Sequence, residues 1–168
     1  MKRSILLFLL LSLGVGLPSE GGMFGNPGQS GHPWHFNGRE FVPGPGSGAM
    51  VVMVRDGYLP VVRTGDDSVP SVTMPDDLGV VAGICYLQVS GGKLANQGGA
   101  SPSVGHPLEF VGASGMVWHA TSDGNGFFVL PLPGGSYDAR GTGAPVRVTV
   151  TAGKTSLVAL RTGKRMVD

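Results

Sequence analysis

Few residues of this 168-residue chain combine a reactive type with a useful spacing. His32-Pro33-Trp34-His35-Phe36 sets two imidazoles three residues apart among aromatic rings. Such a pair could fill two positions on a metal, and the rings could stack on a sugar or anchor a protein. A zinc site needs three or four protein ligands, and no carboxylate or thiol stands close enough in sequence to complete one. His32, Trp34, His35 and Phe36 are therefore read as a possible ligand or partner contact, with plain packing on a domain edge as the alternative. Cys85 is the single cysteine, so no disulfide forms within the chain. It sits in an apolar run and reads as a small buried residue, the alternatives being a reactive thiol or a bridge between chains. Asp123-Gly124-Asn125-Gly126 resembles part of a calcium loop but lacks the later bidentate glutamate, and a hairpin turn explains it better. Asp66-Asp67 and Asp76-Asp77 read as solvated turns. No serine stands in a Gly-x-Ser-x-Gly elbow, and His106 and His119 flank different strands. No catalytic residue, metal site or cofactor is expected.

The elements that must carry these residues are strands. Thirty glycines favour turns and extended segments over helices. Lys2 and Arg3, the apolar run from Ile5 to Leu11 and the small residues after it make residues 1–19 a secretory signal peptide, the run being shorter than the roughly 20 residues that span a bilayer. Residues 20–48, rich in Gly and Pro, read as a disordered arm. Residues 49–64 read as a β-hairpin turning at Arg55-Asp56-Gly57, with Pro60 restricting one arm to an edge. A hairpin alone is marginal in water, so this one should lie against the main domain or a partner. Residues 65–78 form a polar linker, and residues 163–168 a tail.

From residue 79 to 162 short apolar stretches alternate with turn residues. Seven strands are expected, near 80–89, 107–111, 116–122, 127–130, 136–140, 146–151 and 155–161. Val146, Val148 and Val150 alternate with Arg147, Thr149 and Thr151, the mark of a half-buried antiparallel strand. Pro131 and Pro133 are expected to end the fourth strand, because neither donates to a ladder. Phe110, Trp118, Phe128, Leu130 and Tyr137 form the expected core, and alternation leaves His119 exposed. Residues 90–105 make a long Gly- and Ser-rich loop, a second candidate contact surface.

The run Thr121, Asp123, Gly126, Phe128, then Leu132, Pro133, Gly135 and Tyr137 resembles the carboxypeptidase regulatory-like domain. Val81-Ala82-Gly83-Ile84 is similar to that family's opening strand, and the stretch from His106 to Val111 to its second. The resemblance implies an all-β fold, a seven-stranded antiparallel transthyretin-like β-sandwich in which Asp123, Gly126, Phe128, Pro133, Gly135 and Tyr137 define the fold. Hydrolases and iron dioxygenases of the wider transthyretin-like group use a Tyr-Arg-Gly-Ser-type tail or a Tyr and His ligand set. The ending Lys164-Arg165-Met166-Val167-Asp168 and the three tyrosines, Tyr58, Tyr86 and Tyr137, carry over neither. With a formal net charge of +1 there is no footprint for nucleic acid or anionic lipid. The expected function is a non-catalytic module of the bacterial periplasm, cell surface or medium, with no membrane span after signal cleavage. It would dock a protein partner through a sheet edge or the N-terminal arm. The alternative is a carbohydrate- or peptidoglycan-binding module using a glycan of the cell envelope.

Overall fold

The stretch Val80-Val81-Ala82-Gly83-Ile84-Cys85-Tyr86 carries no charge on either alternating set of positions, and every residue in it is buried. A strand of that pattern must be covered on both faces. In the computed structural model, which describes residues 31–46, 50–63, 71–89, 99–141 and 143–163, it lies at the centre of three sheets. The described residues form twelve strands and no helix, and so no helix long and apolar enough to cross a membrane. The expected signal peptide, residues 20–30 and 47–48 of the arm, residues 49 and 64 of the hairpin, residues 65–70 of the linker with Asp66-Asp67, and the end of the tail lie outside the described residues.

The first sheet contains β1 (His32–Phe36), β2 (Phe41–Pro43), β3 (Val51–Val54) and β4 (Val61–Arg63) in the order β2-β1-β3-β4. In the central sheet β5 (Leu78–Val89) pairs with β12 (Thr155–Thr162) on one side. On the other it meets β9 (Phe127–Pro133) and β6 (Gly99–Pro102), end to end. The outer sheet has β7 (Pro107–Gly112), β8 (Val117–Thr121), β10 (Gly135–Arg140) and β11 (Val146–Val150) in the order β11-β10-β7-β8.

Val81 and Cys85 join Phe128, Leu132, Val158 and Leu160 against Leu108, Phe110, Tyr137, Ala139, Val148 and Val150 of the outer sheet. Val80, Ala82, Ile84 and Tyr86 face the other way, onto Met74, Val52 and the aromatic rings of the first sheet. Each fully buried side chain of this size contributes about 1.5–3 kcal/mol. Gly83 lets β12 and β9 flank β5 closely, because a Cβ there would strike the Val158 carbonyl and the Phe128 ring.

All seven stretches expected as strands between residues 80 and 161 fall on strands, and the five expected core residues meet in one cluster. The strand count differs: with β6 this region has eight, formed where the expected long loop returns to pair Tyr86 through Val89 with residues 99–102. One pairing is parallel, β5 with β12. The turn Ala152-Gly153-Lys154 docks at the start of β5, with Gly153 N–H donating to Leu78 O at 2.9 Å. β12 therefore enters the sheet at the same end as β5 and runs alongside it.

Three further expectations are corrected. Residues 31–46 are not a disordered arm: β1 pairs with β2 on one side and with β3 on the other. Their apolar side chains are few, but Trp34, Phe36 and Phe41 bury against Ile84, Tyr86 and Phe127, which supplies what local composition lacks. The hairpin lies against the main domain through Val52 and does so as part of this four-stranded sheet. Of the expected linker, residues 71–74 bridge back to the hairpin, with Met74 N–H donating to Gly57 O at 2.9 Å and the Met74 side chain buried. β9 runs on through Pro131 to Pro133. It pairs only with β5. Gly126 O accepts from Cys85 N–H, so the even-numbered positions bond to β5 and both prolines fall at positions directed away from the ladder.

The turn into β9 is built by Asp123. Its Oδ1 accepts from the backbone N–H groups of Asn125 and Phe127, both at 2.8 Å. Gly126 has φ 79° and comes so near β5 that a Cβ would lie 2.7 Å from the Cys85 carbonyl oxygen. Further along, Tyr137 Oη donates to the Pro133 carbonyl at 2.8 Å, a tyrosine-corner contact across the turn at Gly134-Gly135. Asp123→Ala is expected to lower unfolding free energy by about 1–3 kcal/mol, from two lost bonds. Gly126→Ala should cost about 2 kcal/mol or more, from left-handed strain and backbone collision. Chemical denaturation of the two variants checks both, and a neutral Gly126→Ala would show that β9 does not approach β5 as described.

Candidate functional site

Alternation along β1 divides the sequence-predicted contact residues. Trp34 pairs with Val52, which is buried, so His32, Trp34 and Phe36 share the face directed at the central sheet and His35 takes the other. The two imidazoles therefore point to opposite sides of one strand and do not converge on a common ligand. His35 Nδ1 lies 3.0 Å from Gly44 O. A carbonyl only accepts, so Nδ1 carries the proton and the ring pins the chain after β2. Phe36 is core: its ring sits 4.9 Å from that of Tyr86 and 5.9 Å from that of Phe41.

Trp34 alone of the four is both anchored and open. Its half-buried indole lines two clefts that also share Val54, one of about 610 Å³ toward Gly31, His32, Arg55 and Asp56, the other of about 420 Å³ toward β12. The second is walled by Phe41, Val146, Leu157, Val158 and Ala159, with exposed Arg39 and Glu40 at its rim. The turn between β1 and β2 holds the rim in place, because Asn37 Oδ1 accepts from the backbone N–H groups of Arg39 and Glu40, each at 2.9 Å. Thr155 Oγ1, also at this cleft, is buried with no hydrogen-bond partner. Such a space, with apolar walls from Phe41, Val146 and Leu157 and a comparable polar surface that includes Arg39, Glu40 and Thr155, offers both kinds of contact to a ligand.

Sequence reasoning singled out Trp34 but missed the opposite wall. Thr155 through Leu160 is apolar at both even and odd positions apart from its first two residues, a signal that β12 has two contacts to make. Leu157 and Ala159 make the second.

A third cleft, of about 390 Å³, lies on the outer sheet. Glu109 pairs across the ladders with His119 on one side and Arg140 on the other, and His119 is exposed as alternation implied. His106 Nε2 is buried beside it without a partner. Among the described residues no group of three or more His, Cys, Asp or Glu is placed to hold a metal. Asp123, Gly126, Phe128, Pro133, Gly135 and Tyr137 serve turns and core as described above. The part of the expected contact loop at residues 90–98 lies outside the described residues.

Cys85 is fully buried and unpaired in any disulfide. Its backbone joins the two short partners of β5, the N–H donating to Gly126 O at 2.7 Å and the carbonyl accepting from Ser103 N–H at 2.8 Å. Burial pushes the thiol up to about 11 from an ordinary 9.0, with a hydrogen bond to Ser122 opposing in part. Ser122 is itself tied in, donating to Ser103 O at 2.7 Å and accepting from His106 N–H at 2.8 Å. The thiol, without surface and held protonated, is structural.

The chain matches no known protein family, and no curated protein or solved structure is detectably similar to it.

A buried thiol of raised pKa ionises first in the unfolded chain, so its contribution to stability is whole below the unfolded value and is lost as pH rises through the folded one. Between the ordinary 9.0 and the folded value of about 11, the native protein should lose about 2 kcal/mol more than a Cys85→Ala variant does over the same range. Burial raises the Tyr137 hydroxyl too, which adds loss in the same direction in both proteins. Denaturation curves across alkaline pH measure the difference. Thiol reagents should label Cys85 only in denaturant, and prompt native labelling would contradict its burial.

Proposed function

We propose that this chain is a non-catalytic interaction module, exported to the cell envelope or beyond it, that docks a protein partner in the clefts around Trp34. The observation that carries the reading is the placement of Trp34. An indole half-buried on a strand, its base packed in a core and its flanks open to two clefts, is the arrangement of an interface anchor, where large rigid rings bind at low entropic cost. The order of basic, apolar and small residues in 1–19 supports export. Residues 79–162 are read as a transthyretin-like sandwich of the carboxypeptidase regulatory-like kind. The Asp123 turn and the Tyr137 contact to Pro133 support that reading by giving each motif residue a physical task.

A glycan is the second reading, and it too rests on Trp34, which stands beside exposed Arg39 and Glu40. A ring flanked by hydrogen-bonding side chains is what a sugar face and its hydroxyls would use.

Trp34→Ala in the full chain separates the readings. The variant should fold, since Phe36 and Val52 retain the sheet contact. Crosslinking in envelope preparations should give a defined partner with the parent chain and at least about tenfold less with the variant, the loss of roughly 1.4 kcal/mol or more expected of an anchor. Equal capture by both would refute docking at Trp34. Retention of the parent chain on peptidoglycan or insoluble polysaccharide, abolished in the variant, would transfer the site to the glycan reading.

A further inference from the structure

β12 borders the central sheet and bonds to β5 on one side only. Val80 N–H donates to Lys154 O at 2.9 Å. Along a parallel ladder the main-chain groups of successive residues turn to alternate sides. Ser156, Val158 and Leu160 therefore present their N–H and C=O groups to β5, and Thr155, Leu157, Ala159 and Arg161 present theirs away from it. Other segments approach β12 near both ends of this row. Ser156 Oγ donates to Thr149 O at 2.6 Å, which holds β11 over the first end. Gly143 abuts the other, where a Cβ would lie 2.9 Å from Arg161 O. Leu157 and Ala159 remain between them, and both line the cleft of about 420 Å³ that Trp34, Phe41 and Val146 wall. Two donors and two acceptors of the main chain thus face this cleft, with no strand paired to them among the described residues.

We infer that the occupant of this cleft is an extended peptide segment of a partner protein, added to β12 as a further strand. The inference rests on the docking reading and specifies the partner's chemistry. Main-chain groups repeating at every second residue, about 6.6–6.8 Å apart, match the backbone of another strand. They do not match the ring of hydroxyls on a sugar. Alternate side chains of the added strand fall between Trp34 and Val146, so those positions are apolar and small or branched. Arg39 and Glu40 at the rim are exposed and have no ion-pair partner among the described residues. Charge complementarity then sets an acidic and a basic residue on the segment beside its apolar positions.

Amide hydrogen exchange on the full chain reads the edge directly. Leu157 and Ala159 should exchange at least about 100-fold faster than Val158 and Leu160, which bond to β5. Protection of all four in dilute solution would overturn the inference and leave docking at Trp34 standing. A library of random seven-residue peptides displayed on phage, panned against the immobilised full chain, supplies the ligand. Selected peptides should alternate apolar residues, carry both charges, and slow Leu157 and Ala159 about tenfold or more when bound. N-methylation at one alternating set of peptide amides should weaken binding about tenfold, and methylation at the other set should not.

Ala159→Pro deletes one outward donor at a position where an edge strand accepts proline, and should weaken the same peptides about tenfold. If that variant fails to fold, the N-methyl series makes the same measurement on the parent chain. Insensitivity to the position of methylation, or peptides that leave the two amides unprotected, would overturn the inference. So would a library yielding no binder, or protection that grows with protein concentration alone and marks a second copy on the edge.

Discussion

Burial of β5 on both faces is the constraint from which the other arrangements follow. A strand with Val80, Ala82, Ile84 and Tyr86 on one side and Val81 and Cys85 on the other leaves no face for water. One covering sheet would satisfy half of it and leave an apolar surface that invites association. The outer sheet covers the Val81 side, and the first sheet with Met74 covers the Ile84 side. This is why a segment rich in glycine and proline folds at all. Trp34, Phe36 and Phe41 have no core of their own, yet they find one in the far face of a strand more than forty residues away.

The covering layer is smaller than what it covers, and the cleft follows from that mismatch. β2 and β4 have three residues each, β3 four and β1 five, against twelve in β5 and eight in β12. The first sheet closes over Ile84, Tyr86 and Phe127 and meets β12 at Leu157 and Ala159, leaving a cleft along that contact. Trp34 stands at that border, so its indole packs on the core from one side and opens to solvent from the other. The position of the site is therefore set by where the covering sheet meets β12.

Much of the fold was legible because period-two alternation reports one buried face. Val148 and Val150 against Arg147 and Thr149 made a strand and its inner face legible from pattern alone, although Val146 at its start is exposed. The Asp123–Gly126 turn was legible as well, since a carboxylate followed by glycine at a left-handed position has few other uses. Residues 80–86 were read as a strand, but an apolar run reports only that both faces are buried and does not name what covers the second. That missing partner is the stretch read as a disordered arm, whose composition argues against order until its three rings are placed on β5. Pro131 and Pro133 misled for a related reason: a proline ends a strand only where its missing donor faces a neighbour, and whether it does is a property of the sheet. Trp34 could be singled out by its type. Leu157, Ala159 and the unpaired Thr155 hydroxyl that face it could not, because their role depends on β12 lying at a border.

The borders themselves differ in how they are guarded. β2 and β4 are three residues long, with Pro43 at the end of one and Pro60 just before the other. β9 directs Pro131 and Pro133 outward, and β6 has four residues and ends in Pro102. Brevity and proline are the usual means by which a sheet refuses an added strand. β8 and β11 present five residues each, with exposed positions alternating along them. β12 is the longest border strand, has no proline, and is approached by other segments near its two ends with the middle left bare. The borders of the described sheets are thus guarded unevenly, and the bare stretch of β12 is the one that lies beside an indole. The β5 ladder does not require the opening, because a proline at Ala159 would remove only an outward-facing donor. A binding surface gives the exception a reason.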